Sequence, residues 1–430
     1  MRQYDAYKDS GVEWIGEIPE GWDLRRISSL YDVRNEKVSD QDYPALSVTM
    51  RGIVPQLETA AKTQDGDNRK LVKAGDFVIN SRSDRRGSCG ISDFDGSVTL
   101  ISNVLAPKNY LNMQTRYYSY LFRSEGFADE YYRQGTGIVD DLWSTNWSRM
   151  KNILVTCPPL GEQEAIADYL DAKTAEIDAL VADCEREVEL LQEYRKAVIS
   201  EAVTKGLDPT VPMKDSGIEW IGEIPSAWSL PKLGSLATKI GSGKTPRGGE
   251  EVYVDSGVML LRSQNIYDTG LFLDNVVYID NQTDEDMSST RVRFSDVLLN
   301  ITGGSIGRCC VYDLNMPANV NQHVCIIRLG LSALPKFIQL FWNSRLGSTT
   351  IDLFNTGANR EGMNFEQIGS TRIPLPSIGE QRAIVAYLDS RTSEINALID
   401  AKMQMIVKLC EYRRSLISEA VTGKFKVSGV

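Results

Sequence analysis

Hydrophobic residues recur at three- and four-residue steps over one long segment that begins after Leu160 and over a second that follows Pro376. This spacing places the apolar positions on one face of a helix. Pro158 and Pro159 precede the first segment and Gly206 follows it, as expected at the start and stop of a helix. The pattern predicts two long amphipathic helices, with apolar positions Ile166, Leu170, Ile177, Leu180, Val181, Cys184, Val188, Leu191, Val198 and Ala202 in the first and Ile384, Leu388, Ile395, Leu398, Ile406, Leu409, Leu416, Ile417 and Ala420 in the second.

Each predicted helix has about forty residues and would be roughly 60 Å long, which is too long to bury its apolar face on one compact domain. The chain must also pass from the first helix into a second globular segment. We therefore expect the two helices to form an antiparallel coiled coil. The alternative is that each helix caps its own domain with its outer face in solvent.

The chain is a tandem duplication. KDSGVEWIGEIP, starting at Lys8, returns as KDSGIEWIGEIP from Lys214, and PPLGEQEAIADYLD and EYRKAVISEAVT return as PSIGEQRAIVAYLD and EYRRSLISEAVT. The register between copies is 206 residues for the first block and 218 for the other two, so the second middle segment is longer. Two like frames therefore carry two unlike inserts, which favours a pseudo-symmetric protein with two different surfaces.

The inserts, at about 20–157 and 226–375, are predicted to be mixed α and β. KAGDFVINSRSD and RFSDVLLNITGG are β-rich runs that end in polar turns and match at an offset of 220, whereas YYSYLFRSEGFADEYY and ALPKFIQLFWNSRLG favour short helices. The prediction is an α/β (mixed α+β) protein with two globular domains, at 1–157 and 207–375, and two long helical segments, at 158–206 and 376–430.

Composition removes several classes of function. The 430 residues carry a net charge of −11, which argues against one extended basic surface. Seven scattered cysteines without a CxxC pair argue against disulfides and zinc, and one histidine, His323, is too few for a His-based metal cluster or a triad. No apolar run is long enough to span a bilayer and no signal peptide is visible, so we expect a cytoplasmic protein.

Two short motifs resemble enzyme signatures but are incomplete. GSGKT, from Gly241, lacks the first glycine of a phosphate-binding loop, because Thr238 stands there, and Pro246 follows it at once. CPPL, from Cys157, lacks the polar and aromatic ends of an amino-methyltransferase motif. We therefore expect no cofactor or metal on this chain, and a loop that touches DNA phosphates is the favoured interpretation of GSGKT.

The repeated frame contains four tryptophans and two GEQ elements. Buried packing is expected for Trp14, Trp22, Trp220 and Trp228. The glutamate and glutamine at the two GEQ elements fit two roles, which are satisfying free backbone donors at a helix start and contacting another subunit.

Specificity is expected where the two inserts differ at comparable turns. Arginine and the amides can bond base edges through two hydrogen bonds, whereas lysine and hydroxyls suit phosphates. The candidate DNA contacts are Thr49, Arg51, Arg82, Arg85 and Arg86 in the first insert and Lys244, Thr245, Arg247, Arg262, Gln264, Asn265, Thr302 and Arg308 in the second.

Together the WIGEIP-x-x-W element, the GEQ-x-AI-x-x-YLD helix start and the EYR-x-x-x-ISEAVT ending resemble the specificity subunit of type I restriction–modification systems, over essentially the whole chain. The resemblance implies that each insert reads one half of a split double-stranded DNA target while the helices set the gap. It also implies two methyltransferase subunits and restriction/translocase subunits as partners, with S-adenosylmethionine, ATP and Mg on those partners.

Two other classes of function stay open. A duplicated coiled-coil scaffold for protein interaction, without DNA recognition, has the same repeat pattern. An autonomous methyltransferase or ATPase is disfavoured by the missing motifs. The resemblance favours a non-catalytic subunit.

Overall fold

The computed structural model describes residues 2–57, 66–82, 87–108, 113–136, 143–355 and 362–427. By its contacts the chain divides into two units, Met1–Glu185 with Gln404–Val430 (unit 1) and Arg186–Met403 (unit 2). Each unit thus holds one insert and one part of each long helix. The sequence analysis predicted four domains that follow one another along the chain, and the boundaries of those domains stay a prediction.

The strands of unit 1 are short. They are β1 Tyr7–Asp9, β2 Glu17–Pro19, β3 Asp23–Arg26, β4 Tyr31–Val33, β5 Lys37–Val38, β6 Leu46–Thr49, β7 Gly52–Pro55, β8 Arg69–Val72, β9 Phe77–Asn80, β10 Cys89–Ile91, β11 Gly96–Val98, β12 Ser102–Pro107 and β13 Leu154–Cys157. The main sheet is antiparallel with the order β10-β9-β12-β4, beside a smaller sheet β11-β8-β5 and a hairpin β6-β7. The helices are α1 Ile27–Leu30, α2 Thr115–Arg123, α3 Glu125–Arg133, α4 Trp147–Met150 and the long α5 Leu160–Lys205.

Unit 2 repeats this plan. Its strands are β14 Met213–Asp215, β15 Glu223–Pro225, β16 Ala237–Ser242, β17 Tyr253–Val254, β18 Val258–Leu261, β19 Ile266–Tyr267, β20 Gly270–Leu271, β21 Val277–Ile279, β22 Val297–Asn300, β23 Cys309–Val311, β24 Ala318–Val320 and β25 Val324–Leu329. The main sheet has the order β23-β22-β25-β16, matching that of unit 1 strand for strand. The helices are α6 Leu233–Leu236, α7 Asn281–Asp286, α8 Pro335–Trp342, α9 Arg345–Asn355, α10 Phe365–Ser370 and the long α11 Ile378–Val421. The prediction of one mixed α/β fold in both inserts is confirmed.

The long helices pair antiparallel inside each unit. In unit 1, Arg413 of α11 forms an ion pair with Asp178 of α5 at 2.8 Å, and Met405 lies 3.9 Å from Cys184 through their sulfur atoms. In unit 2 the repeat-related positions carry other chemistry. Arg195 donates to Asn396 at 2.8 Å, and Lys402 forms an ion pair with Glu187.

The predicted apolar face of these helices is mostly buried. Ile166, Leu170 and Ile177 join the core of unit 1, and Ile384 and Leu388 join that of unit 2. Two repeat-related positions are exceptions, because Leu180 is 45% exposed and Leu398 is 54% exposed. Their inclusion in the buried face was wrong. Among the described helices none is long and apolar enough to cross a membrane.

Candidate nucleic-acid interface

The polar turns of unit 2 converge at one edge of its two sheets. Strand β22 ends there opposite the start of β25, with Asn300 beside Val324, and β16 ends opposite the same strand. In the second sheet β18 and β24 run parallel and end together, with Leu261 beside Val320. The loops that follow these strand ends, 243–247, 262–265, 301–308 and 321–323, form what we call the loop edge of unit 2. Eight of the sequence-predicted contacts lie in it.

Close backbone packing joins the loops of this edge. The Lys244 N–H donates to the Val320 carbonyl at 3.3 Å, and the Asn321 N–H donates to the Leu261 carbonyl at 3.0 Å. A Cβ atom on Gly243 would lie 1.7 Å from the Val320 oxygen, so only glycine allows this approach. Loop 243–247 is therefore held against loop 321–323.

A chain of side-chain hydrogen bonds joins loops 243–247, 321–323 and 301–308. The Thr245 hydroxyl donates to Gln322 Oε1 at 2.6 Å, and Gln322 Nε2 lies 3.0 Å from His323 Nε2. The other ring nitrogen, Nδ1 of His323, lies 2.6 Å from the Thr302 hydroxyl. Two predicted contacts, Thr245 and Thr302, are thus connected through two residues that the sequence did not suggest for this role.

Three predicted contacts in loop 262–265 have different environments. Arg262 is half-buried, donates to the Asn275 carbonyl at 2.9 Å and lies 5.8 Å from the Tyr253 ring centre. Gln264 is exposed. Asn265 is completely buried, and its amide accepts from the Arg262 N–H and donates to the Phe272 carbonyl, both at 2.9 Å. In this structure Asn265 therefore holds the turn and presents no group to a base, which corrects its assignment as a base contact.

The other basic residues of the loop edge are more accessible. Lys244 and Arg247 are exposed. Arg308 is half-buried, and its guanidinium lies 4.5 Å from the centre of the Tyr267 ring, a geometry that fixes its direction. The buried Asn300, which precedes loop 301–308, donates to the Ser263 carbonyl at 2.8 Å and so connects this loop to loop 262–265.

Unit 1 has an equivalent edge after β9. Arg82 is exposed there, and its backbone N–H donates to the Asn80 side chain at 3.1 Å. Arg51 is exposed at the tip of the β6-β7 hairpin. Thr49 closes that hairpin, donating to the Gly52 carbonyl at 2.9 Å and accepting from the Arg51 N–H at 3.1 Å. The remaining two predictions, Arg85 and Arg86, lie outside the described residues.

The GSGKT segment has no phosphate-binding-loop geometry. Strand β16 ends at Ser242, an irregular loop follows, and the next regular element is a 3₁₀ turn at Gly249–Val252 instead of an α-helix beginning at the lysine. The backbone donors of an α-helix start, which would cradle a phosphate, are therefore missing at Lys244.

The GEQ elements make contacts within each unit. The side chain of Gln163 accepts from the Gln114 N–H, just before α2, and donates to the Pro158 carbonyl. Gln381 does the same for Leu334, just before α8, and for Pro376. Both glutamines thus connect a long helix to the helical part of an insert, and the backbone donors that they satisfy precede α2 and α8 and do not belong to the long helices themselves.

The glutamates of the same elements contact the repeated tryptophans. The indole N–H of Trp22 donates to Glu162, and that of Trp228 donates to Glu380 at 3.0 Å. Trp22 and Trp228 are buried, as predicted. Trp220 is 45% exposed, so the prediction that all four tryptophans are buried was wrong.

A second helix-to-insert contact has opposite polarity in the two units. In unit 1, Glu125 at the start of α3 pairs with Arg414 of α11 at 2.8 Å. In unit 2, Arg345 at the start of α9 pairs with Glu193 of α5 at 3.3 Å. The repeated EYRK and EYRR sequences give each long helix both a glutamate and a cation one turn apart. Either charge on the insert therefore finds a partner.

Five of the seven cysteines are buried, whereas Cys157 is half-buried and Cys410 is exposed. Burial raises the pKa of the Cys89, Cys310 and Cys325 thiols to about 12, so these side chains stay protonated at neutral pH. Among the described residues no group of three or more His, Cys, Asp or Glu side chains is arranged to hold a metal ion.

Comparison with known proteins agrees with this architecture. The family model of the type I restriction modification DNA specificity domain matches residues 19–190 and 225–406, one match per repeat. The MjaVIII type I restriction enzyme specificity subunit of Methanocaldococcus jannaschii is 24% identical over 428 residues, covering 96% of this chain and 95% of that protein. The EcoBI specificity subunit of Escherichia coli is 25% identical over 290 residues, 64% of this chain and 59% of that protein.

Among solved structures, a chain from a study of assembly and conformational transition in the type I R-M system superimposes with a TM-score of 0.72 at 15% identity, covering 94% of this chain and 98% of that one. The chain therefore belongs to the family of type I restriction modification DNA specificity proteins.

Proposed function

We propose that this chain is the DNA sequence-specificity subunit of a type I restriction–modification complex, with one half of a split target read by each unit. The observation that carries the proposal is the pair of matching sheets whose loop edges present different side chains. The same scaffold offers Arg51 and Arg82 in unit 1 but Lys244, Arg247 and Arg308 in unit 2. Like scaffolds with unlike contact residues fit an asymmetric, bipartite DNA sequence.

The chemistry of the side chains at the two loop edges supports separate roles in base and phosphate contact. Arginine and glutamine can bond base edges in the major groove through two hydrogen bonds, and lysine and hydroxyl groups suit phosphates. Arg51, Arg82, Arg308 and Gln264 are therefore proposed to contact bases. Lys244 is proposed to contact phosphate. The GSGKT loop is therefore proposed to contact DNA phosphates, as the sequence analysis favoured.

Catalysis is proposed to belong to partners. Two methyltransferase subunits would modify adenine, and restriction/translocase subunits would translocate and cleave, with S-adenosylmethionine, ATP and Mg bound on those subunits. The long helices offer apolar surface for such partners, since Leu180, Met405, Val407 and Tyr412 in unit 1 are each at least 45% exposed. A complex of this kind acts on chromosomal DNA, which implies the cytoplasm.

The long helices are also proposed to set the gap between the two half-sites. Both α5 and α11 are continuous, and each contributes residues to both units. A helix lengthens by a fixed 1.5 Å per residue, so its length is a natural measure of spacing.

An insert exchange tests the proposal. Residues 20–157 are replaced by the corresponding segment of another family member, the complex is expressed with its partners, and adenine methylation is mapped genome-wide by single-molecule sequencing. Only one half of the methylated sequence is expected to change, and the matched exchange of residues 226–375 should change the other half. A motif unaffected by both exchanges would favour the alternative, a coiled-coil scaffold for protein interaction.

Affinity gives a second test. The net charge of −11 limits phosphate neutralisation by the chain alone. The purified chain is expected to bind DNA weakly, with a strong dependence on salt and little sequence preference, while the complex with methyltransferase subunits binds specifically. Tight, sequence-specific binding by the isolated chain would contradict this division of labour.

A further inference from the structure

Gln322 is an exposed residue whose side-chain amide is held at both ends. Its Oε1 accepts from Thr245 and its Nε2 approaches Nε2 of His323. Because the amide nitrogen is only a donor, this ring nitrogen accepts, and the ring proton lies on Nδ1. Nδ1 then donates to the Thr302 hydroxyl. Hydrogen bonds at both ends of the amide therefore hold its rotation.

The two contacts leave half of the amide's capacity. A glutamine amide has two N–H donors and two acceptor lone pairs, and each contact uses one. Among the described residues Gln322 has no other hydrogen bond, so one N–H and one lone pair remain. An amide that keeps one donor and one acceptor can bond the N7 acceptor and N6 donor on the major-groove edge of adenine.

We propose that Gln322 reads an adenine in the half-site recognised by unit 2, with Thr245 and His323 as its positioning residues. This inference rests on the proposed function and names the side chain that recognises one adenine of the target. The positioning contacts matter because a free glutamine loses rotamer freedom when it binds, whereas Gln322 has already lost much of it. The neighbouring Lys244 and Arg247 are exposed in the same loop edge, where phosphate contacts would set the register of the base contact.

The test pairs substitutions in the protein with substitutions in the DNA. The full complex, wild type or Gln322→Ala, is bound to duplexes carrying its methylated motif, in which each adenine of the unit 2 half-site is replaced in turn by 7-deazaadenine. One position should weaken wild-type binding about tenfold, since a good bidentate contact gives roughly 5- to 150-fold discrimination. The Gln322→Ala complex should be insensitive at that position and unchanged elsewhere.

Two further variants separate the loss of base recognition from a general loss of structure. Thr245→Val removes the hydroxyl that orients the amide and should reduce the 7-deazaadenine effect at the same position only. Gln282→Ala is the matched control, because Gln282 is an exposed glutamine of α7, at the other end of the sheet from the loop edge, and should keep the full effect.

The outcomes distinguish this inference from the proposed function. A coupled loss at one adenine, shared by Gln322→Ala and Thr245→Val, supports the inference. A split motif whose adenines all show equal sensitivity in wild type and Gln322→Ala overturns the inference and leaves the proposed function standing. A wild-type complex without any split motif overturns both.

Discussion

The Gly243→Ala substitution tests the geometry on which the loop edge of unit 2 depends. The added Cβ would lie 1.7 Å from the Val320 oxygen, 2.3 Å from its carbonyl carbon and 2.6 Å from the Asn321 oxygen. These are backbone atoms, so no side chain can rotate away. Loops 243–247 and 321–323 must separate by about 1.3 Å to restore a 3.0 Å contact.

The expected cost follows from this displacement. Overpacking of a well-packed site typically costs about 1–3 kcal/mol. For a unit of this size each kcal/mol lowers Tm by about 2–4 °C, so a fall of about 2–12 °C is expected for the transition of unit 2. The separation also breaks the 2.6 Å bond between Thr245 and Gln322, and discrimination in one half-site should weaken.

Gly241→Ala is the matched control in the same GSGKT segment. A Cβ on Gly241 meets no heavy atom within 4 Å, and the residue lies inside β16, where alanine is no worse than glycine. Differential scanning calorimetry of both variants and methylation mapping of both complexes give the comparison. Equal Tm values and identical motifs for Gly243→Ala and Gly241→Ala would refute the close approach of the two loops.

Three further predictions follow from particular contacts. Arg328 donates to both oxygens of Asp296, which is 1% exposed, so Arg328→Ala leaves a buried carboxylate without its guanidinium partner. Urea unfolding should show that the free energy of unfolding falls by about 3–5 kcal/mol. The control Arg293→Ala, at an exposed side chain in the segment that precedes Asp296, should cost little. Burial raises the pKa of Asp268 in the folded chain, so its ionised form lowers stability above that pKa, and this cost disappears as pH falls through it. Asp268→Asn should therefore raise Tm at pH 8 and lose this advantage in acid. An unchanged Tm at both pH values would count against the burial argument. An insertion of seven residues into each long helix, where it passes from one unit to the other, lengthens that helix by about 10 Å. The gap in the methylated motif should then widen by about three base pairs. An unchanged gap would contradict the spacing role.

The repeats and periodicities predicted the fold because both depend on local sequence. Helical spacing marked α5 and α11, and the matched β-rich runs marked β9 and β22. The exceptions arise where identical frame residues meet different inserts. Trp14 contacts Phe127 of α3 with ring centres 6.1 Å apart, whereas its repeat mate Trp220 stays 45% exposed. Sequence identity of the frame could not reveal this difference in surroundings.

The candidate site was harder to predict because exposure and pairing depend on distant residues. Asn265 has the side chain of a base reader, but its amide is used inside its own turn. Gln322, the proposed adenine reader, was not predicted because its partner Thr245 is far away in the sequence, and its neighbour His323 meets Thr302 only when three loops converge. The one available signal was a polar NQH segment between two apolar β runs.

The central claim, that this chain sets the DNA sequence recognised by a type I complex, is tested most directly by a genome-wide map of adenine methylation in a host with and without the gene. We predict one split, asymmetric adenine-methylated motif that is present with the gene, absent after deletion and restored by the intact gene. A methylation map that is identical in both strains, in cells that express the methyltransferase partner, would contradict the claim.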